Sequence, residues 1–470
     1  MSFLANARAT VAAIEPRLLV GSVHALRGLT LVVDRLRVPV GSLVEVNTGI
    51  RTQSLGEVIG FEGPRSLVML YGASAGVAPG AAVRAVRSAP TVAIGRSWLG
   101  RTVNALGTPI DEGPPLDELE PRLLEPGITN PLSRRIIDEP LPTGVRAIDA
   151  LLTVGRGQRM GIFAGPGVGK STLLANIAKG AAADIAVIGL VGERGREVKE
   201  FIEHTLGSEG RRRAVLVVAT GDESPLLRVR AASVAVAAAE YFRDEGANVV
   251  LMIDSVTRLA HAQRQIGLAA GEQPATKGYT PSVFALLPRL LERAGPLDGR
   301  GSITGFYTVL VEGDDMTEPV ADAVKGILDG HIVLSRRIAT RGHYPAIDPL
   351  ESISRVADQI TDANHQKARR EMIRLLAAWR EHEEIISIGA YARGANPDVD
   401  CAIAMRQAAD AFLRQGKDER SDYPRTLRSL IEFSLAAESF RQRAPVANAA
   451  AAQARPAQAA PTQPVAPKGR

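Results

Sequence analysis

The chain has 470 residues, of which 45% are apolar and 23% charged, ordinary proportions for a protein with several packed cores. The formal net charge of +5 is small for this length, and an aromatic fraction of 4% argues against surfaces that stack nucleic-acid bases, so no nucleic-acid partner is expected. Cys401 is the only cysteine and no apolar run is long enough to span a bilayer, which excludes an intrachain disulfide and a membrane-spanning helix and predicts a cytosolic protein.

Residues 1–17 are predicted to form an amphipathic helix. Five apolar side chains recur near one helical face, and Arg8 lies off that face. These side chains are Phe3, Leu4, Ala7, Val11 and Ile14. Two interpretations remain open: the face packs on the domain that follows, or it docks on a partner or a membrane surface.

Residues 18–90 are predicted to form a small closed β-barrel. Short runs rich in β-branched residues alternate with Gly and Pro, which is typical of such barrels. The predicted strands are Leu29–Val33, Leu43–Val46, Gly56–Phe61 and Ser66–Tyr71.

Residues 91–360 are predicted to form an α/β domain. After a connector rich in Gly and Pro over Pro90–Pro115, strand-like runs alternate with helical runs, which indicates a parallel sheet covered on both faces. The predicted strands are Gly161–Ala164, Ile185–Val191, Ala214–Ala219, Val249–Ile253 and Ile303–Val311. The predicted helices include Thr172–Ala183, Glu197–Thr205 and Pro225–Asp244.

A phosphate-binding loop is predicted where the first of these strands meets a helix. Backbone N–H groups of a Gly-rich turn and of the helix N-terminus point at an anion, and Lys170 reaches the β- and γ-phosphates. The Ser171 hydroxyl is placed to ligate Mg²⁺. Ala164 stands where the usual pattern has Gly, but a small residue still lets the strand end turn. The predicted nucleotide-binding residues are Gly165, Pro166, Gly167, Val168, Gly169, Lys170, Ser171 and Thr172.

Two carboxylates follow later strands of the same domain. Asp254 ends the apolar run Val249–Asp254, where an acidic partner of Mg²⁺ is found in nucleotide-binding sheets; the alternative is an ordinary helix cap. Glu193 follows another apolar strand and is placed to orient the attacking water, with Arg194 adding positive charge. The alternative for this pair is a surface ion pair of little energetic value.

The loop Arg341–Pro349 contains Tyr344, whose ring is predicted either to lie against a purine or to be buried in the core. Arg355 lies eleven residues after Tyr344, and no local sequence pattern distinguishes it from other arginines. The histidines show no metal-ligand spacing.

Residues 361–444 are predicted to form a helical domain. Its apolar residues recur at helical spacing, and they include Ile373, Leu376, Trp379, Ile385 and Ile386. Residues 445–470 are Ala, Pro and Gln with almost no large apolar side chains, and this tail is predicted to be disordered.

Five motifs together resemble the type III secretion ATPases, the hexameric motors of flagellar and injectisome export, which are relatives of the catalytic subunits of rotary ATP synthases. The resemblance covers about residues 18–440 and departs from the family pattern at Thr280, where Pro is expected. The motifs are Ala-Gly-Pro-Gly-Val-Gly-Lys-Ser (164–171), Val-Gly-Glu-Arg-Gly-Arg-Glu-Val-Lys-Glu-Phe (191–201), Leu-Met-Ile-Asp-Ser-Val-Thr-Arg (251–258), Tyr-Thr-Pro-Ser-Val-Phe-Ala-Leu-Leu-Pro-Arg-Leu-Leu-Glu-Arg-Ala-Gly (279–295) and Gly-His-Tyr-Pro-Ala-Ile-Asp-Pro (342–349).

The resemblance implies a P-loop NTPase core with a RecA-like parallel sheet, an N-terminal β-barrel and a C-terminal helical domain. It implies a homohexamer that hydrolyses ATP with Mg²⁺ at sites between subunits. The implied roles are phosphate and Mg²⁺ binding for Lys170 and Ser171, water activation for Glu193, γ-phosphate contact for Arg194, metal support for Asp254, adenine packing for Tyr344 and action across the interface for Arg355.

The implied partners are a regulator at the N-terminal region, a central stalk and chaperone–cargo complexes at the C-terminal helices, and an export gate at the membrane. The protein is therefore expected in the cytoplasm, peripherally associated with the inner-membrane export apparatus. The short N-terminal helix and the barrel run over residues 57–72 resemble the flagellar branch more than the injectisome branch.

Three further alternatives remain. An ion-translocating rotary ATPase subunit shares the core. An RNA translocase is disfavoured, because Phe3, Phe61 and Tyr71 are the only aromatic residues before Gly95. A non-enzymatic nucleotide-binding scaffold is disfavoured by the presence of both Lys170 and Glu193.

Overall fold

The computed structural model describes residues 19–49, 52–311, 313 and 315–443. The predicted helix over residues 1–17 and the predicted tail over residues 445–470 lie outside these ranges. The chain divides into two compact units. The first contains the residues up to Ala363 together with Leu413–Leu427, and the second contains Asn364–Phe412 and the residues from Arg428 onward.

The N-terminal strands close into an antiparallel barrel in the order β1-β2-β5-β4-β3-β6. The strands are β1 (Val20–Arg27), β2 (Thr30–Asp34), β3 (Leu43–Gly49), β4 (Thr52–Glu62), β5 (Arg65–Leu70) and β6 (Ala82–Arg87). Alternate apolar side chains such as Leu31, Val44 and Val68 fill the interior without solvent exposure. The four predicted strands correspond to β2 to β5, except that Leu29 and Tyr71 lie just outside β2 and β5. Strands β1 and β6 were not predicted, because their apolar residues are interrupted by His and Arg.

A mostly parallel sheet forms the centre of the first unit, in the order β17-β16-β10-β15-β13-β11-β12-β8, with β14 paired to β15. Only β14 and β17 run antiparallel to their neighbours among the described strands of this sheet. The strands are β8 (Thr102–Asn104), β10 (Arg159–Ala164), β11 (Ile185–Glu193), β12 (Ala214–Thr220), β13 (Asn248–Asp254), β14 (Gly295–Pro296), β15 (Ser302–Leu310), β16 (Gly330–Leu334) and β17 (Ile353–Ser354), while β7 (Thr91–Ile94) pairs with β9 (Glu120–Leu123) apart from it.

The helices of this unit pack around the sheet. They are α1 (Arg146–Leu151), α2 (Lys170–Gly180), α3 (Gly195–Glu200), α4 (Gly207–Arg212), α5 (Pro225–Asp244), α6 (Val256–Ala269), α7 (Pro281–Leu291), α8 (Pro319–Ile327) and α9 (Arg336–Ala339). Helix α5 has the predicted bounds: Ser224 caps it, and a run of buried alanines lets it lie close to β11, β12 and β13. The predicted helix Glu197–Thr205 is instead split into α3 and a π-helical turn over Phe201–Leu206, which ends at Gly207 with a φ of 68°.

The carboxyl ends of the parallel strands meet at one edge of this sheet, where the loop after β10 and the ends of β11 and β13 lie together. Asp254 is the last residue of β13. The structure places β15 between β10 and β13, so one strand separates the carboxylate from β10. This intervening strand contributes a side chain of its own to the site.

The C-terminal helices are α10 (Ala363–Ser387), α11 (Pro397–Leu413) and α12 (Tyr423–Arg443). On α10 the buried apolar residues are Ala368, Met372 and Leu375, one position away from the predicted Ile373 and Leu376. Arg441 of α12 forms an ion pair with Glu371 of α10. Across the described ranges, none of the helices combines the length and apolar character needed to cross a bilayer.

Candidate active site

The loop between β10 and α2 has the backbone of a phosphate-binding turn. Gly167 and Gly169 have φ angles of 78° and 90°, which glycine adopts without the strain that a side chain would cause. The Gly169 carbonyl accepts the first helical bond from the N–H of Leu173 at 3.0 Å. Val168 is buried and anchors the loop, while Ser171 is exposed at the start of α2. The positive end of the α2 dipole therefore opens at this loop, where an anion is stabilised.

Lys170 is the first residue of α2, and its side chain reaches the ends of β11 and β13. Its Nζ lies 2.5 Å from Asp254 Oδ1 at the end of β13 and 3.5 Å from Glu193 Oε1 at the end of β11. All three side chains are largely buried, with exposed fractions of 13% for Lys170, 5% for Asp254 and 10% for Glu193. An ammonium group shared by two buried carboxylates is held firmly, because each charge would otherwise be poorly solvated.

Glu193 is positioned by an irregularity at the end of β11. The register with β12 shifts between Val191 and Glu193, and Gly192 between them has a φ of 75°. Arg258 on α6 lies 3.1 Å from Glu193 Oε2 and also donates to the Gly192 carbonyl. Burial raises the pKa of Glu193 above that of an ordinary glutamate; Lys170 and Arg258 oppose this rise, and Asp254 adds to it.

One oxygen of Glu193 is available for a ligand. Oε1 is buried and makes no hydrogen bond to any described residue, although Lys170 Nζ lies 3.5 Å from it. A buried carboxylate oxygen without a hydrogen bond is uncommon and calls for a partner such as water. This oxygen lies beside Lys170, as expected for a group that orients water next to the bound phosphate.

Asp254 receives a second donor from the strand that separates it from β10. Thr308 on β15 donates from Oγ1 to Asp254 Oδ1 at 2.7 Å. Asp254 is not the cap of α6; Ser255 fills that role by accepting the N–H of Arg258 at 3.3 Å.

Tyr344 lies beside the phosphate-binding loop of its own chain. A side-chain carbon placed on Gly169 would lie 3.6 Å from Cδ1 and Cε1 of the Tyr344 ring. The residue is 43% exposed, so it is not the buried core tyrosine of the alternative interpretation. Its ring is therefore partly exposed and lies next to the phosphate-binding loop.

Arg194 is not brought into the cluster around Lys170. It is exposed at the start of α3, where its Nη1 pairs with Glu197 Oε1 at 3.0 Å. This ion pair with the neighbouring helical turn is a surface contact.

Arg355 lies at the opposite end of the sheet from the phosphate-binding loop. Its N–H donates to the Asp329 carbonyl at 3.0 Å, and Asp329 also accepts from the backbone and guanidinium of Arg159, the first residue of β10. The loop follows the last residue of β10, about 17 Å away at roughly 3.3 Å per residue. Arg355 therefore does not complete the site of its own chain.

Arg258 and Thr308 are the site residues that sequence analysis did not identify. Arg258 is the third residue of α6 and lies close after the strand end at Asp254, so its place in the sequence indicates proximity to the site but not its contact with Glu193. Thr308 is one buried hydroxyl within a predicted strand, and nothing in the local sequence marks it.

A parallel sheet that ends in a phosphate-binding loop, with a lysine between two buried carboxylates, defines a P-loop ATPase. Residues 144–354 match the nucleotide-binding domain of the ATP synthase alpha/beta family, and residues 361–432 match the T3SS EscN ATPase C-terminal domain.

Among relatives, the flagellum-specific ATP synthase of Treponema pallidum is 50% identical over 420 residues, covering 88% of this chain and 93% of that protein. The flagellum-specific ATP synthase of Bacillus subtilis is 52% identical over 381 residues, covering 81% of this chain and 85% of that protein. The type 3 secretion system ATPase of Sinorhizobium fredii is 49% identical over 385 residues, covering 82% and 85%.

The assembled ATPase EscN from the type III secretion system of enteropathogenic E. coli has a similar structure, with a TM-score of 0.82 and 42% identity over 88% of this chain and all of that chain. EscN in complex with its central stalk EscO gives a TM-score of 0.82 and 41% identity over the same fractions. The chain belongs to the family of flagellum-specific ATP synthases and type III secretion ATPases, and it is an ATP-hydrolysing enzyme. The resemblance and the fold class predicted from the sequence are thereby confirmed.

Proposed function

We propose that this ATPase energises type III protein export in flagellum assembly, as a homohexamer with its ATP sites between subunits. The observation that carries the chemistry is the contact of Lys170 with both Asp254 and Glu193 at the phosphate-binding loop. The flagellar assignment is supported by flagellum-specific relatives at 50% and 52% identity, although a type 3 secretion system ATPase follows at 49%.

The nucleotide would replace internal ion pairs with phosphate contacts. The β- and γ-phosphates draw Lys170 away from Asp254, and the loop N–H groups and the α2 dipole bind the remaining charge. The partly exposed ring of Tyr344 beside Gly169 is suited to pack on adenine. The affinity for ATP therefore includes the cost of breaking the contact between Lys170 and Asp254.

The residues present fit Mg²⁺, which prefers oxygen ligands and binds through one or two protein groups together with phosphates. The exposed hydroxyl of Ser171 and the carboxylate of Asp254 would hold the ion, and Asp254 loses its cation when Lys170 turns to the phosphates. In the described ranges, no group of three or more His, Cys, Asp or Glu side chains could hold a metal by itself. The ion would neutralise phosphate charge and would arrive with the nucleotide.

Glu193 would orient the water that attacks the γ-phosphate, through the oxygen that has no hydrogen bond. Arg258 holds the other oxygen and fixes the direction of the carboxylate. Arg194, in its role at the γ-phosphate, would have to leave its ion pair with Glu197.

Arg355 would complete the site of the neighbouring subunit, because it lies far from the loop of its own chain. An arginine supplied in this way stabilises the charge of the transition state and accelerates hydrolysis by about 10³–10⁵-fold. This requirement supports an oligomer with sites between subunits, and the similarity to the assembled EscN supports a homohexamer.

The complex of EscN with EscO supports a central stalk as a partner. We further propose a regulator at the N-terminal region and chaperone–cargo complexes at the C-terminal helices. The hexamer would work on the cytoplasmic side of the inner membrane, delivering cargo to the export gate.

The proposal is tested with two variants of the purified protein. Lys170→Ala should lose hydrolysis and bind ATP weakly, whereas Glu193→Gln should bind ATP normally and turn over about 10²–10⁴-fold more slowly. Lys179→Ala on the same helix is the control; its ammonium donates to the Thr205 carbonyl at 3.1 Å, and it should retain activity. Normal turnover in Glu193→Gln would remove that residue from the mechanism.

The flagellar assignment needs a cellular readout. Cells that carry only Lys170→Ala should lack flagellar filaments and fail to secrete hook and filament proteins. Cells that build normal flagella but lose secretion through an injection needle would show that the chain serves an injectisome instead.

A further inference from the structure

Thr308 has a buried hydroxyl group that donates a hydrogen bond directly to Asp254. It lies on β15, between the strand of the phosphate-binding loop and the strand of Asp254, and it has no exposed surface. Oγ1 has one hydrogen to donate; Asp254 Oδ1 lies at 2.7 Å, whereas the Ile253 carbonyl lies at 3.4 Å. The charged acceptor at the shorter distance is the stronger partner.

The same oxygen of Asp254 also receives Lys170 Nζ at 2.5 Å. Two donors, one charged and one neutral, therefore converge on Oδ1. When phosphate draws Lys170 away, the Thr308 hydroxyl is the donor that stays, because it belongs to a buried strand and cannot follow the ligand. With Oδ1 held in this way, the second oxygen of Asp254 is the one that can serve a cation.

A hydrogen bond between β15 and the helix that follows Asp254 helps to fix the position of Thr308. The Thr257 hydroxyl, in the first turn of α6, accepts the N–H of Leu310 at 2.9 Å and so ties the end of β15 to the helix that follows Asp254. The distance between Thr308 and Asp254 is thus set by the backbone of both strands as well as by the side chains.

We propose that Thr308 is a positioning residue for Asp254. Its hydroxyl holds Oδ1 both in the empty site and when Mg²⁺–ATP is bound, and this directs the other oxygen toward the metal. The inference rests on the proposed role of Asp254 in Mg²⁺ binding. Partners that orient a metal-binding group typically contribute about 10–100-fold to metal affinity or activity.

Thr308→Val tests this, because it removes the hydroxyl and keeps the shape, while Thr308→Ser keeps the hydroxyl. The matched control is Thr304→Val, four residues earlier on the same strand. Thr304 is 2% exposed, and its hydroxyl accepts the N–H of Gly157 at 2.8 Å at the opposite end of the sheet. The readout is equilibrium binding of a fluorescent ATP analogue, with Mg²⁺ titrated from zero, alongside the Mg²⁺ dependence of hydrolysis.

Thr308→Val should raise the Mg²⁺ concentration for half-maximal effect by about tenfold and leave metal-free binding within about twofold of the wild type. For Thr308→Ser and Thr304→Val, the Mg²⁺ concentration for half-maximal effect should stay within about twofold of the wild-type value. An unchanged Mg²⁺ dependence in Thr308→Val, or an equal shift in Thr304→Val, would overturn the inference. If Thr308→Val does not fold, Thr308→Ala serves the same comparison. A wild-type protein that binds no nucleotide would instead refute the proposed function.

Discussion

Glu193 is largely buried and lies between two cations, Lys170 and Arg258. Burial raises its pKa, and Lys170 and Arg258 limit the rise. The ionised carboxylate is the form that polarises water, so activity should be lost as the pH falls through this raised pKa. The acid limb of the pH–rate profile should therefore lie above the ordinary glutamate range.

Arg258→Gln should move this acid limb to higher pH. Removing a positive charge 3.1 Å from Glu193 Oε2 raises the pKa of the carboxyl further, so a higher pH is needed to ionise it. The measurement is the turnover rate at saturating ATP across pH. Arg264→Gln is the control, because Arg264 is on the same helix but lies over the Tyr279 ring. An acid limb that stays in place in Arg258→Gln would contradict the coupling.

At the scale of the element, the end of β11 depends on a backbone that only glycine adopts easily. Gly192 has a φ of 75°, and a side-chain carbon there would lie 3.2 Å from Cβ and Cδ of Arg258. Gly192→Ala should destabilise the fold by about 1–2 kcal/mol through its left-handed backbone. It should also displace Arg258 and so reduce hydrolysis.

Gly246→Ala separates the two effects. Gly246 has a φ of 93° with nothing within 4 Å of an added carbon, and it precedes β13 at the end of the sheet away from the site. Denaturant unfolding should show a similar loss in the free energy of unfolding for both variants. Only Gly192→Ala should also lose ATP hydrolysis. Equal activities would mean that the contact with Arg258 does not matter.

The elements that the sequence could predict are those with a strong local pattern. Ala231–Ala239 and the cap at Ser224 mark α5, and the Gly-rich turn before Lys170 marks the phosphate-binding loop. The order of strands could not be predicted, because the insertion of β15 between β10 and β13 depends on pairing between distant segments. Thr308 was missed for that reason, since only the strand order brings it to Asp254.

At the scale of the whole molecule, the proposed site needs two chains. Mixing Lys170→Ala with Arg355→Ala subunits tests this, because each variant is inactive alone but supplies what the other lacks. In an equal, random mixture about a quarter of the interfaces pair an intact loop with an intact arginine, so part of the hydrolysis should return. The measurement is ATPase activity against mixing ratio. No recovery at any ratio, with hexamers shown to exchange subunits, would count against action between chains.

Arg355 is held at Asp329, at the end of β10 away from the phosphate-binding loop, and this position affects where in the cell ATP is hydrolysed. In the role proposed here, a newly synthesised or dissociated subunit carries a loop with no arginine opposite it. Such subunits could accumulate in the cell while leaving its ATP pool intact. ATP would be hydrolysed only where subunits have assembled into a ring, so the site of assembly would also determine the site of hydrolysis.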